Sequence, residues 1–127
     1  MIAAPLQALT MFNMICTGMV GDGPLPQDER AGTPYRSEFR IDLIHRLWCI
    51  DTCHGVERIQ GVTDREIILI ERTFDGGGSA RMAVDRRTGT FLLVSFHQRI
   101  GPLGWRRGTC RQRPFGGFPE HAVRWRE

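Results

Sequence analysis

Two short apolar runs, residues 67–70 and residues 91–96, constrain the fold of this chain more than any other feature. A shorter alternating run at residues 81–85 lies between them. The runs are rich in β-branched and aromatic residues, and turn sequences at residues 75–78 and 87–89 bound them, so they predict strands and not helices. The rest of the chain is expected to pack on the sheet that these strands form.

Strands are also predicted outside this region. Residues 36–44 alternate, with Phe39, Ile41 and Leu43 on one face and charged side chains on the other, which is typical of a strand with one buried face. Further short strands are predicted at residues 10–20, at residues 56–62 and near residues 108–111.

The fold class that follows is all-β: an antiparallel meander of six to seven strands, curled as a small barrel or half-open sandwich. We expect at most one short helical turn, around residues 51–55, where the alternation stops. The turn at residues 85–89 begins with Asp85 and ends with Gly89, which predicts a bulged hairpin.

The length of 127 residues is enough for one domain with its own core. We expect residues 10–127 to form a single β domain with an irregular, basic C-terminal end. Residues 1–9 are small and apolar, and we expect them to be either a signal-peptide remnant or a disordered N-terminus. No apolar run approaches the roughly 20 residues that a membrane-spanning helix needs.

The four cysteines predict two disulfides if the compartment is oxidising. Four residues span roughly 13 Å along a strand and roughly 6 Å along a helical turn, so a Cys49–Cys53 bridge requires the chain to turn there. Cys16 and Cys110 would then be left for each other, and the other two connectivities remain open. Zinc sites usually combine two closely spaced pairs, a spacing that is absent here, so no metal site is predicted.

Every one of the 17 basic residues is arginine, and the seven that follow Gln98 face only two glutamates. Arginine interleaved with aromatic residues can bind an anionic partner or nucleic acid through phosphate contacts and stacking. The alternative is that the aromatic residues cap an open barrel end while the arginine stems cover apolar surface. The candidate binding surface comprises Trp105, Arg106, Arg107, Arg111, Arg113, Phe115 and Phe118; Arg124, Trp125 and Arg126 extend the same pattern.

Catalytic signatures are absent from the sequence. The four histidines stand in no metal-binding or catalytic spacing, and the glycine run at residues 76–78 is not followed by the helix and lysine of a phosphate-binding loop. We therefore expect a protein that is not an enzyme and that carries no cofactor. A hydrolase would need a cysteine with a lowered pKa beside a histidine.

Four motifs together resemble those of short exported bacterial proteins of unknown function. They are Trp48-Cys49-x-x-x-Cys53, Asp85-Arg86-x-Thr88-Gly89, Gly108-x-Cys110 and the run from Pro114 to Pro119. The likeness covers most of the chain from about Thr10. It implies a periplasmic or secreted location and supplies no activity.

The sequence thus predicts an exported, non-catalytic module that binds an envelope component or a small apolar ligand, with nucleic acid an unlikely partner. The alternative is a cytosolic, arginine-rich nucleic-acid-binding protein whose cysteines are reduced or bound to zinc.

Overall fold

A single nine-stranded antiparallel sheet makes up most of the computed structural model, which describes residues 5–121. The sheet curls into a half-barrel, and the strand order is β4-β3-β2-β1-β9-β8-β7-β6-β5. The prediction of an all-β antiparallel fold is confirmed, but six to seven strands was an undercount. The strands are β1 (Met11–Asp22), β2 (Thr33–Asp42), β3 (Leu47–Ile50), β4 (Glu57–Arg58), β5 (Gly61–Val62), β6 (Glu66–Thr73), β7 (Gly78–Asp85), β8 (Thr90–His97) and β9 (Gly101–Arg113).

Residues 57–62 connect the two edges of the sheet. β4 pairs with β3 and β5 pairs with β6, although only Ile59 and Gln60 separate β4 from β5. The amide of Ile59 donates to the carbonyl oxygen of Arg46 near one edge, and the amide of Gln60 donates to that of Ile68 at the other. The single strand predicted at residues 56–62 is therefore divided, because its two halves pair with different neighbours.

The hydrophobic core lies on the concave face of the half-barrel. Since side chains alternate along each strand, every second residue points into it. Burial of each large apolar side chain stabilises the fold by roughly 1.5–3 kcal/mol. The large core side chains that are at most 2% exposed are Phe12, Met14, Phe39, Ile41, Ile67, Leu69, Val84 and Phe91.

The two ends of the half-barrel differ. At one, the closed end, Leu6 packs against the core and its amide donates to the carbonyl oxygen of Arg86. The other, the open end, carries the loops at residues 23–32, 51–56, 74–77 and 98–100. The prediction for residues 1–9 falls partly on residues 1–4, which lie outside the described residues.

The hairpin between β7 and β8 has the predicted turn. Asp85 Oδ1 accepts from the amides of Arg87 and Thr88 at 2.8 and 3.2 Å, and Gly89 has a φ of 73°. At residues 51–55 the chain turns without a helical turn, because Asp51 and Cys53 both have positive φ. Among the described residues, no helix is long and apolar enough to cross a membrane.

β9 is three times longer than the strand predicted near residues 108–111. Gly108, which lies in the predicted strand, is opposite Gly18 of β1 where the two strands approach closely. A Cβ atom on Gly108 would lie 2.0 Å from the carbonyl oxygen of Thr17, and one on Gly18 would lie 1.9 Å from that of Arg107. Glycine is therefore required at this point for the strands to pair.

Candidate ligand-binding site

The predicted basic surface is divided between two faces and two ends of the half-barrel. Side chains alternate along β9, so Trp105, Arg107, Arg111 and Arg113 lie on the convex face, whereas Arg106 shares the concave face with Cys110. Arg106 and Arg113 are also about 23 Å apart along an extended strand. The structure therefore does not bring these residues together as one patch.

Trp105 and Arg107 hold the loop at residues 23–32 against the convex face. Trp105 is 4% exposed, and its ring lies so close to Gly21 that a Cβ atom there would be 2.6 Å from it. The Arg107 guanidinium lies 5.3 Å from the centre of the Trp105 ring. Its Nη1 donates to the carbonyl oxygen of Pro26 at 2.8 Å, and its Nη2 donates to that of Asp28. Both side chains are therefore engaged in contacts within the molecule.

The C-terminal segment packs on the convex face at a second place. Phe115 and Phe118 meet edge to face with ring centres 5.5 Å apart, and Phe118 packs against Cys49, Cys53 and Val56. Arg111 and Arg113 are exposed near the closed end. Arg124, Trp125 and Arg126 lie outside the described residues.

Both predicted disulfides are present. Cys16 is bonded to Cys110 across β1 and β9, and Cys49 is bonded to Cys53 across the turn that follows β3. All four residues are at most 5% exposed. Within residues 5–121, no three histidine, cysteine or acidic residues cluster as metal ligands would.

A cleft of about 410 Å³ lies at the open end of the half-barrel, and we call it the open-end cleft. Its walls are mostly apolar. Arg72 lies on one side with its guanidinium 6.0 Å from the centre of the Phe74 ring, and His54 and Glu57 lie on the other. This volume is within the range of small-molecule sites. The apolar lining comprises Trp48, Cys49, Ile50, Ile70, Phe74 and Ala80.

Tyr35 and Arg106 form a polar pair on the concave face. The guanidinium carbon of Arg106 lies 5.0 Å from the centre of the Tyr35 ring, which packs in turn against Phe91 at 6.4 Å. The hydroxyl of Tyr35 and Nε of Arg106 are both buried and have no hydrogen-bond partner among the described residues. Burial raises the pKa of Tyr35 to about 12, although the nearby charge of Arg106 acts to lower this pKa.

A second groove, of about 550 Å³, lies beneath the loop at residues 23–32 on the convex face. Leu25 and Leu92 form part of its walls, and Glu29 and Arg107 are its charged residues. Arg107, one of these two charged residues, already donates to carbonyl oxygens of the loop.

Sequence reasoning did not identify Tyr35 or the residues of the open-end cleft as a site. The alternation of β2 contains the missing signal, because Tyr35 shares parity with Phe39 and Ile41, which face the core. The same rule places Arg106 with Cys110 once β9 is recognised as one continuous strand.

Comparisons with known proteins give little overlap. No family model matches the chain, and no solved structure matches it. A stretch of 51 residues, 40% of this chain, is 41% identical to the L-cysteine:1D-myo-inositol 2-amino-2-deoxy-alpha-D-glucopyranoside ligase of Nakamurella multipartita. That stretch is 12% of the ligase, so the likeness covers only a small part of that enzyme.

Proposed function

We propose that this protein is a non-catalytic binding module of an oxidising compartment outside the cytoplasm, and that it takes a small amphipathic ligand into the open-end cleft. The observation that carries the proposal is the asymmetry of the half-barrel. Leu6 packs over the core at the closed end, whereas the apolar walls at the open end enclose a cleft of about 410 Å³.

The two disulfides support the location. Bonds of this kind persist in secreted and periplasmic proteins and are rare where glutathione keeps thiols reduced. Both bridges in this structure are buried, and one of them joins the first strand to the last. A chain that depends on such bonds is suited to an oxidising environment.

The composition of the cleft supports a binding role. Cys49, the cysteine in its wall, is bonded to Cys53 and so cannot act as a thiolate nucleophile. The other wall residues offer apolar contact surface, with Arg72 as a charged group at the rim. Such a lining holds a ligand by burial of apolar area and orients it through a few polar groups.

The alternative of a cytosolic nucleic-acid-binding protein receives less support. It requires free arginine and aromatic side chains on one surface. Trp105 is buried, and Arg107 is bonded to carbonyl groups of the loop at residues 23–32. Arg106 lies on the opposite face of β9.

The proposal is tested with N-phenyl-1-naphthylamine, a neutral apolar dye whose fluorescence rises on binding to apolar sites. The wild-type protein is expected to bind it with micromolar affinity. Phe74→Ser removes part of the cleft wall and is expected to weaken binding by about 3–10-fold, through loss of about 1 kcal/mol of apolar contact.

Phe96→Ser is the matched control, because Phe96 is exposed to a similar degree on the convex face, at 45% against 49% for Phe74. It is expected to leave dye binding unchanged. Absence of dye binding by the wild-type protein, or equal weakening by both variants, would contradict the proposed function.

A further inference from the structure

We infer that the ligand of the open end carries a carboxylate, which binds on the concave face between the guanidinium group of Arg106 and the hydroxyl group of Tyr35. This inference rests on the proposed function and names the chemical class of its ligand.

Two unpaired polar atoms occur together at this place. A buried polar group without a partner costs about 1–3 kcal/mol, and native proteins retain few of them. Four side-chain atoms among the described residues are of this kind: Tyr35 Oη and the Nε atoms of Arg40, Arg106 and Arg107. Two such unpaired atoms on neighbouring side chains, Tyr35 and Arg106, indicate that a ligand binds there.

Arg106 differs from the other two arginines in this set. Arg40 donates through Nη1 to the carbonyl oxygen of Gly117, and Arg107 donates to the carbonyl oxygens of Pro26 and Asp28. The guanidinium of Arg106 makes no hydrogen bond or ion pair with any residue from 5 to 121. Its hydrogen-bonding groups are therefore unpaired within the described part of the chain.

The surroundings of Arg106 favour an anion. Its neighbours in the register are Val20 on β1 and Leu93 on β8, both apolar, and its guanidinium is stacked on the Tyr35 ring. Stacking on an aromatic ring stabilises a cation by about 0.5–2 kcal/mol but does not neutralise it. A charge in such a setting attracts an opposite charge more strongly than it would in water.

One positive charge and one phenol match a monoanion with two acceptor oxygens. A guanidinium presents its N–H groups as a fork that fits the two oxygens of a carboxylate. The Tyr35 hydroxyl is protonated at neutral pH, as any phenol is, and can donate to the same group. A dianionic phosphate would leave a negative charge unmatched among the described residues here.

The sheet register links this polar pair to one wall of the open-end cleft. Arg106 pairs with Leu93, Leu93 with Met82, and Met82 with Ile70, which lines the cleft. Three strand spacings separate Arg106 from Ile70, which is about 14 Å along the sheet. A ligand with a carboxylate at Arg106 and an apolar chain directed toward Ile70 would occupy both parts.

The experiment compares ligands that share a ten-carbon chain and differ in the polar group: decanoate, decanol and decyl phosphate. Each displaces N-phenyl-1-naphthylamine from the wild-type protein at pH 7.5, and the displacement gives its affinity. Decanoate is expected to bind about 10–100-fold more tightly than decanol, as a charge-assisted bidentate contact allows. Decyl phosphate is expected to bind more weakly than decanoate.

Arg106→Gln is expected to reduce the preference for decanoate over decanol to less than threefold while decanol affinity is retained. Arg99→Gln is the matched control, because it removes the same charge from an exposed loop at the open end, and it is expected to leave the preference unchanged. Tyr35→Phe, which removes one hydroxyl, is expected to reduce the preference several-fold.

Equal affinity of decanoate and decanol in the wild-type protein would overturn the carboxylate site and leave the cleft intact. The same holds if decyl phosphate binds most tightly, or if Arg99→Gln removes the preference as fully as Arg106→Gln does. Failure of the neutral dye and of all three ligands to bind would contradict the proposed function itself. The wild-type comparison needs no variant, so it remains decisive if Arg106→Gln does not fold.

Discussion

Cys16 and Cys110 lie directly opposite each other on β1 and β9, with their Cα atoms 4.0 Å apart although they are 94 positions apart in the sequence. The amide of Cys110 points away from β1 and donates to the carbonyl oxygen of Gly89 beside β8. The bridge therefore joins the first and last strands at a position where they exchange no backbone hydrogen bond.

Replacement of both Cys16 and Cys110 by alanine is expected to lower the free energy of unfolding by about 4–5 kcal/mol, because it frees a very long loop in the unfolded chain. Replacement of both Cys49 and Cys53, which are four positions apart, is expected to cost about 2 kcal/mol. Urea denaturation measures both losses. Equal losses would show that loop closure does not account for the stabilisation.

Gly18→Ala is expected to destabilise the fold by about 3 kcal/mol or more, since the new Cβ atom would lie 1.9 Å from the carbonyl oxygen of Arg107. Gly78→Ala is the control, because a Cβ atom at that strand position has only ordinary contacts of 3.6 Å and beyond. Its midpoint of thermal unfolding should stay within a few degrees of the wild-type value. A small effect of Gly18→Ala would show that β1 and β9 can separate without loss.

Arg107→Lys is expected to loosen the loop at residues 23–32, because a lysine cannot donate to both Pro26 and Asp28 with the geometry of a guanidinium. Limited digestion with trypsin measures this through cleavage after Arg30, which is exposed in the loop. Cleavage should become about tenfold faster, as loss of one charge-assisted hydrogen bond allows. Arg99→Lys should not change the rate, and an unchanged rate in Arg107→Lys would mean that Trp105 alone holds the loop.

Tyr35 is the only tyrosine of the chain, so absorbance at 295 nm follows its ionisation alone. Half-ionisation is expected near pH 12 in the folded protein, because burial raises the pKa of this phenol, and near pH 10 in the unfolded chain. Between these values the unfolded state binds fewer protons, so the free energy of unfolding should fall as pH rises from about 10 to about 12. Tyr35→Phe should remove this part of the pH dependence. A folded-state midpoint near pH 10 would show that the phenol is in contact with water.

The sequence was most informative where structure is local. Asp85 and Gly89 specify their hairpin within five residues, and Cys49 and Cys53 can bond only if the chain turns between them. In each case the physical cause lies within one short segment. The apolar run in β6 is of the same kind, because its composition alone favours a strand.

The features that sequence reasoning missed depend on contacts between distant segments. Only a short strand was predicted near residues 108–111, because the pairing that extends β9, including that of Gly108 with Gly18, involves a strand distant in sequence. The division of residues 57–62 depends on which sheet edge each half meets. Arg106 was grouped with Arg107 as part of one basic surface, and only the continuity of β9 shows that they lie on opposite faces.

The connection made by residues 57–62 also bears on aggregation. A strand at a sheet edge exposes backbone groups that can pair with another chain, and apolar edges carry the greatest risk. The edge of β6 contains the apolar run at residues 67–70, and β5 pairs with it at Ile67 and Ile68. The run that specifies the fold would promote association between molecules if left uncovered, so this short segment covers an edge at which folding chains could pair with one another.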